Sequence, residues 1–285
     1  MMISGRYQPA NYLREIPPFI KYRRIESIAN TKSLDGLIGD DFMIFEKGDG
    51  GNCQVRSWNF RVLVGTRSGY LFNKKSAKFP WFRKLLNWSY SNYQQLYKIP
   101  ERFVIFGEWL GNHTIKYSRE FVDNFFLIDI LDLDTKRFID YKISCDILCS
   151  LGIDCIKKFP ILYKGRINSE LVEGLLFEDS SFYKGPKEGL IIKDYFSRHQ
   201  EFWKIYHPDF SEKSFVEGQI DFLTPARFRK NYFRLREEEG EKEIDIEKLV
   251  SAVYQNIKKE EGIQIEKDII KKRLCRYLTE KRLVL

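Results

Sequence analysis

The chain has 285 residues, 43% hydrophobic and 15% aromatic, with 48 Lys and Arg against 40 Asp and Glu for a formal net charge of +8. That composition excludes a disordered tail and provides for one substantial core plus a smaller domain, while the basic excess favours a polyanionic partner without choosing among RNA, DNA and an acidic membrane surface. No apolar run is long enough to span a bilayer, the N-terminus is charged and aromatic where a secretory signal has its apolar core, and five cysteines cannot all pair within one chain, so a cytoplasmic protein is expected.

Phe42-Met43-Ile44-Phe45 is apolar and partly β-prone and reads as a buried strand. It runs through Glu46 into Lys47-Gly48-Asp49-Gly50-Gly51-Asn52, a lone lysine at a strand end beside a glycine-rich turn. Such a lysine faces a cleft from a rigid element, and attacks phosphorus only when desolvation, a neighbouring cation or a metal lowers its pKa. Asp49 is placed to orient groups around it, and Gly48, Gly50 and Gly51 to admit close approach of backbone and phosphate. Read alone, the segment is equally a strand followed by a surface hairpin turn.

Further along, Lys74, Lys75, Lys78, Arg83 and Lys84 interleave with Phe79, Trp81, Phe82, Trp88, Tyr90, Tyr93 and Tyr97, a composition suited to nucleic acid. The near-helical spacing of Trp81, Leu85 and Trp88 favours an amphipathic helix facing the core, with the basic residues outward. The strand Phe103-Val104-Ile105-Phe106-Gly107-Glu108 ends on a carboxylate at a cleft rim. Arg67, Lys193 and Lys204 are candidates for phosphate, each with the plain alternative of a solvated surface charge. Cys145, Cys149 and Cys155 match no zinc spacing and are read as buried free thiols; His113, His199 and His207 are scattered.

After about residue 215 the spacing becomes helical. Ile246, Leu249, Val250, Val253 and Ile257 mark one face, and Ile270, Leu274, Tyr277 and Leu278 another. Glu237-Glu238-Glu239-Gly240-Glu241 reads as a solvated linker between helices. Lys271-Lys272-Arg273 with Arg276, Lys281 and Arg282 makes a basic helix that either tracks a phosphate backbone or is merely solvated.

Lys47-Gly48-Asp49-Gly50 resembles motif I, Lys-x-Asp-Gly, of the covalent nucleotidyltransferases, the superfamily of DNA ligases, RNA ligases and mRNA capping enzymes. Asn52 stands where the RNA ligase 2-like family has asparagine and the others usually arginine. The remaining family segments follow in order: Phe19-Ile20-Lys21-Tyr22 with Ile25-Glu26; Thr66-Arg67-Ser68-Gly69 (motif Ia); Phe106-Gly107-Glu108-Trp109-Leu110-Gly111 (III); Phe125-Phe126-Leu127-Ile128-Asp129-Ile130 (IIIa); Glu188-Gly189-Leu190-Ile191-Ile192-Lys193 (IV); Phe202-Trp203-Lys204-Ile205-Tyr206 (V). Three positions depart from the pattern: Ile128 replaces a phenylalanine that stacks on adenine, with Phe126 a possible substitute; Tyr206 replaces the second lysine of motif V; and Asp49 is often histidine in this family. The helical tail, with Thr224-Pro225-Ala226-Arg227-Phe228 similar to a Thr-x-x-Arg stretch near the start of that family's C-terminal domain, differs from the small β-barrel of DNA ligases and capping enzymes.

The resemblance implies an α+β chain: an antiparallel-sheet nucleotidyltransferase domain, an ATP-grasp-like ligase core, over residues 1–212, then a small helical C-terminal domain over 213–285. It implies an ATP-dependent RNA ligase that uses magnesium or manganese and joins 5′-phosphate and 3′-hydroxyl ends. Its catalytic set is Lys47, Glu188, Lys193 and Lys204. Nucleotide contacts fall to Glu46, Lys47, Asn52, Arg67, Glu108, Ile128, Ile191, Lys193 and Lys204, with Glu108 on ribose, Ile128 and Ile191 walling the adenine, and Lys193 and Lys204 on the α-phosphate. Glu188 meets the metal's water or the lysine. The rivals are a DNA ligase or a capping guanylyltransferase on the same scaffold, and a catalytically idle RNA-binding protein.

Overall fold

The chain is described here by a computed structural model covering residues 16–28, 34, 37, 41–73, 80–111, 114–212, 214–216, 219–239 and 244–280; Lys74, Lys75, Lys78, Phe79, His113, Gly240, Glu241, Lys281 and Arg282, named above, lie outside the described residues. In chain order the first half comprises β1 (Glu26–Ser27), β2 (Phe42–Glu46), β3 (Gly50–Trp58), β4 (Arg61–Thr66), β5 (Gly69–Leu71), α1 (Pro80–Ser91), α2 (Tyr93–Leu96), β6 (Phe103–Leu110), β7 (Asn124–Asp132) and β8 (Arg137–Ile139). The second half comprises α3 (Tyr141–Ser150), β9 (Lys157–Lys158), β10 (Ile161–Gly165), α4 (Ser169–Phe177), β11 (Gly189–Lys193), β12 (Phe202–Tyr206), β13 (Ser214–Val216), β14 (Gln219–Asp221), α5 (Pro225–Glu239), α6 (Ile246–Glu261) and α7 (Lys267–Thr279).

Two largely antiparallel sheets face each other. The first has the order β1-β12-β11-β2-β10, and the second β5-β4-β3-β6-β7-β8 with β9 beside β7. Strand β2 lies between β11 and β10 and is covered on both faces, which is why it is an apolar run instead of an alternating one. Its side chains still alternate. Phe42 and Ile44 join Leu190, Ile192 and Ile205 against α4, while Met43 and Phe45 belong to the main core shared with the second sheet.

Two irregularities shape the space between the sheets. In the β6–β7 pairing the register jumps from Phe106↔Asp129 to Gly107↔Leu127, leaving Ile128 as the extra residue of a bulge. The segment Phe19–Tyr22 also crosses the second sheet: Gln54 donates to the Ile20 carbonyl at 2.7 Å, and the Tyr22 ring packs on Phe106 and Phe138. The other face of that sheet is closed by α1, whose buried Leu85 and Leu86 and whose Trp88, stacked on Phe125 at 5.1 Å, make it the core-facing helix expected from the spacing.

The C-terminal helices carry their own core of Leu223, Phe228, Leu249, Val250, Val253, Ile257, Ile270, Leu274 and Tyr277, so both periodic faces read from the sequence are buried as expected, although Ile246 itself is exposed. Asp245 caps the start of α6, and Gly262 ends it at φ +71°. Two local readings change. Residues 214–216 pair antiparallel with 219–221 as β13 and β14 before any helix begins, and Glu237–Glu239 close α5 instead of opening a linker. Cys145 and Cys155 are half-buried, and Cys149, expected inside, is exposed.

Candidate functional site

The Lys47 backbone N–H donates to the Gly189 carbonyl at 2.9 Å, an extension of the β2–β11 ladder beyond the end of β2. That register brings Glu188, 141 positions away, beside the lysine: Lys47 Nζ lies 2.6 Å from Glu188 Oε2, and both side chains are largely shielded from solvent. Burial works against the charge on each partner, lowering the lysine's pKa and pushing the Glu188 carboxyl up to about 7, while their mutual attraction works the other way on both. At 2.6 Å, with Tyr206 and Glu108 adding to the pull, attraction prevails for the lysine and holds its ammonium above the ordinary lysine value. The Lys47 amine is therefore protonated at rest, its charge tied chiefly to Glu188.

Around this pair the cleft is lined from both sheets. Alternation along β11 and β12 puts Ile191, Lys204 and Tyr206 on the Lys193 face, with Ile191 and Lys204 directly opposite in the ladder. The Tyr206 ring sits 5.3 Å from Lys47 Nζ and 5.3 Å from Lys204 Nζ. What looked in the sequence like a missing lysine is an aromatic face shared by two ammonium groups. From the second sheet, Asn52 pairs with Glu108, both half-buried, and Glu108 acts on the charge of Lys47. Arg67 is exposed on the β4–β5 turn, one residue past the Cys53↔Thr66 pair and thus level with Asn52.

Lys193, expected at the α-phosphate, stands apart from this company. Its ammonium is buried on the cleft floor, 2.9 Å from Asp129 Oδ2, 2.8 Å from the Ile128 carbonyl and 3.2 Å from the Tyr195 hydroxyl. Tyr195 donates to the other carboxylate oxygen at 2.5 Å, and Tyr22 donates to the first. Burial lowers the Lys193 pKa against the pull of Asp129 and raises those of both phenols. The bulge at Ile128 accompanies this arrangement, and it leaves Ile128 half-buried with its carbonyl held by Lys193. Phe126 is not a free platform for a base. It is buried among Phe121, Phe159 and Phe182, with ring centroids 5.0–6.4 Å apart.

Glu46, expected among the nucleotide contacts, also stands apart. Next to Lys47 it points to the opposite face, where its carboxylate accepts from Ser180 Oγ and from the Ser181 N–H at 2.8 Å. Burial raises its pKa, those bonds opposing. Asp49 holds a neighbouring segment: it accepts from the Ile115 N–H at 2.9 Å, and its own N–H donates to Tyr117 at 2.6 Å. The motif glycines provide room for protein: a Cβ on Gly51 would sit 2.3 Å from the Trp81 ring, and one on Gly50 2.4 Å from the Trp109 carbonyl.

The first C-terminal helix reaches this cleft, a contribution that no sequence motif marked. Lys230 of α5 pairs with Glu212 and acts on the charge of Glu188, and Arg229 donates to the Asp209 carbonyl at 2.7 Å. A cavity of about 600 Å³ opens there among Tyr183, Pro186, Asp209, Thr224 and Arg229. The helix is anchored by the Thr-x-x-Arg stretch. Thr224 Oγ1 donates to the Ser211 carbonyl at 2.8 Å, and buried Arg227 donates to Asn256 at 2.7 Å and Glu261 at 2.8 Å.

The chain matches the family model for RNA ligase over residues 40–206. Among solved structures it is similar to Naegleria gruberi RNA ligase: with pyrophosphate, 22% identical at a TM-score of 0.50 over 68% of this chain and 58% of that one; and, as a mutant with ATP and manganese, 20% identical at a TM-score of 0.52 over 68% and 57%. At that identity the likeness establishes the fold, and the chain spans less than two thirds of the length of these ligases. No curated protein gives a significant match.

Proposed function

Because the chain belongs to the RNA ligase family, matched through the whole segment from β2 to Tyr206, we propose that it is an ATP-dependent RNA ligase that joins 5′-phosphate and 3′-hydroxyl RNA ends through a lysyl-AMP intermediate on Lys47. The observation that carries this is the Lys47–Glu188 pair at 2.6 Å, a shielded amine whose charge is held chiefly by that carboxylate. Lys47, once neutral, attacks the α-phosphorus of ATP; the P–O bond to pyrophosphate breaks, and AMP stays on the amine as a phosphoramidate. The 5′-phosphate oxygen of RNA then displaces the lysine, and the 3′-hydroxyl oxygen attacks the activated phosphate to expel AMP and form the phosphodiester.

Glu188 has the hard oxygen ligand that magnesium or manganese prefers, and among the described residues no group of three acidic, His or Cys side chains surrounds it. That fits an ion carried in on the nucleotide's phosphates, which takes only one or two protein carboxylates. Such an ion supplies positive charge beside the transferring phosphate. Drawing on the Glu188 carboxylate, that charge would loosen its hold on Lys47 and ease the amine's loss of a proton. Tyr206 and Lys204 flank the same space, with Lys204 available to phosphate oxygens. Ile191 offers an apolar wall, Glu108 and Asn52 face it from the second sheet, and Arg67 stands at the rim for phosphate. The helical C-terminal core and the α5 cations beside the cleft support RNA joining at nicks or paired breaks over the β-barrel architecture of DNA ligases and capping enzymes.

Incubation with magnesium and ATP labelled at the α-phosphate tests this. Wild-type protein is expected to acquire one AMP, located on Lys47 by mass spectrometry, and Lys47→Ala none; an unlabelled wild type, or equal labelling of the variant, would refute it.

A further inference from the structure

Strand β3 runs away from the cleft to a two-residue turn, Asn59-Phe60, between the paired Trp58 and Arg61. Both turn residues have left-handed backbone, φ 48° and 59°. A hairpin turn with two positive φ values prefers Asn-Gly, because a side chain at the second position is strained. Phe60 accepts that strain and gains no burial, being 82% exposed. The turn is nevertheless fixed. The Tyr93 hydroxyl donates to the Phe60 carbonyl, and the Asn59 N–H donates to the Glu101 carboxylate at 2.8 Å. Two elements outside the hairpin thus clamp a strained loop whose one apolar side chain points into water. Strain held in place without a packing return is a mark of function.

The surroundings state what such a group would meet. Tyr93 and Tyr97, stacked at 6.0 Å and partly exposed, lie beside the turn, and Tyr90 is exposed on the same stretch. These are the rings of the basic-aromatic stretch that the core did not absorb. Arg61, Lys98 and Arg102 are exposed next in sequence to Phe60, Tyr97 and Glu101; Arg102 is 3.8 Å from Asp134, and Glu101 is taken by Asn59. Exposed rings among cations are the chemistry of base stacking combined with phosphate neutralisation. An acidic or purely apolar partner would not need both.

We propose that the Asn59-Phe60 turn, with Tyr93, Tyr97 and Arg61, is a second RNA contact that stacks an unpaired base of a single-stranded segment, roughly 20 Å along β3 from the Asn52–Glu108 row. It rests on RNA being the substrate, but it needs no chemistry at Lys47. The test measures binding of a fluorescent single-stranded RNA to the full chain alongside self-labelling by ATP. Phe60→Ala is expected to weaken RNA binding about tenfold with ATP labelling unchanged. Phe60→Gly separates binding from folding: glycine relieves the backbone strain, so the melting temperature is expected to rise while RNA binding falls as in the alanine variant. Arg61→Ala is expected to reduce the salt dependence of binding by about one phosphate's contribution. RNA affinity within about twofold of wild type in both Phe60 variants overturns the inference, and absence of ATP labelling in the wild type refutes instead the ligase reading of Lys47.

Discussion

Replacing Asp129 by asparagine would strand an ammonium on the floor of the cleft. Lys193 Nζ and Asp129 Oδ2 are 2.9 Å apart, with side chains 3% and 0% exposed. At an effective dielectric constant near 20 the gross attraction at that distance is about 6 kcal/mol. Lost hydration of both ions offsets much of it, so the pair adds little net stability, whereas removing one partner of such a pair costs about 3–5 kcal/mol. Asp129→Asn and Lys193→Met are each expected to lower the unfolding free energy by about that amount in urea denaturation followed by tryptophan fluorescence. The double variant Asp129→Leu with Lys193→Met is expected to be more stable than either single one, since it leaves no buried charge unpaired. Below its transition, Lys193→Met keeps the Lys47–Glu188 pair and should take label from ATP to the wild-type extent. A Lys193→Met protein of wild-type stability that fails to label would return this lysine to phosphate chemistry and refute the reasoning.

Glu188, its carboxyl pushed up to about 7, takes up its proton as pH falls through that value, and it then neither holds a metal ion nor responds to one. ATP labelling of Lys47 is therefore expected to decline below about pH 7, and an equally sloped profile in a Glu188→Gln variant that still labels would disprove the link. Tyr206→Lys sets another positive charge beside Lys47, so the amine should react with a lysine-selective reagent at lower pH than in wild type, while Tyr206→Phe, which loses the phenol's pull but retains the ring, should shift that titration the same way by much less. Arg227→Met leaves Glu261 and Asn256 without their buried donor and is expected to destabilise the C-terminal helices by about 3 kcal/mol, read as lost amide protection in α5–α7 with the β-strands unaffected.

The α+β architecture was readable from strand-like runs giving way to helical spacing, and the two C-terminal faces were readable apart from Ile246. Lys47 was legible because a strand, a lysine and glycines adjoin in sequence; its partner came only from motif order, since 141 intervening positions carry no local signal of a shared ladder. The direction of the Glu46 side chain had a sequence cue: neighbours on a strand face opposite ways, so its carboxylate turns away from the Lys47 amine. Lys193 had no such cue. It shares a face with Ile191, and only the depth of the cleft, together with the bulge that places Asp129 opposite, determines that it meets a carboxylate and two phenols instead of solvent. Tyr206 stands where the resemblance expects a lysine; the charge is absent, and the ring lies against Lys47 and Lys204.

The carboxylate, ammonium and two phenols beneath the cleft join three separate stretches of chain, near residues 22, 129 and 193–195. Such a weld resists prying the two layers apart, so the slot above it keeps one width. Discrimination among nucleotides would then rest on whether a base fits a gauge already set, and a substitution that slackens the weld should show itself first as relaxed choice of nucleotide, before any loss of speed.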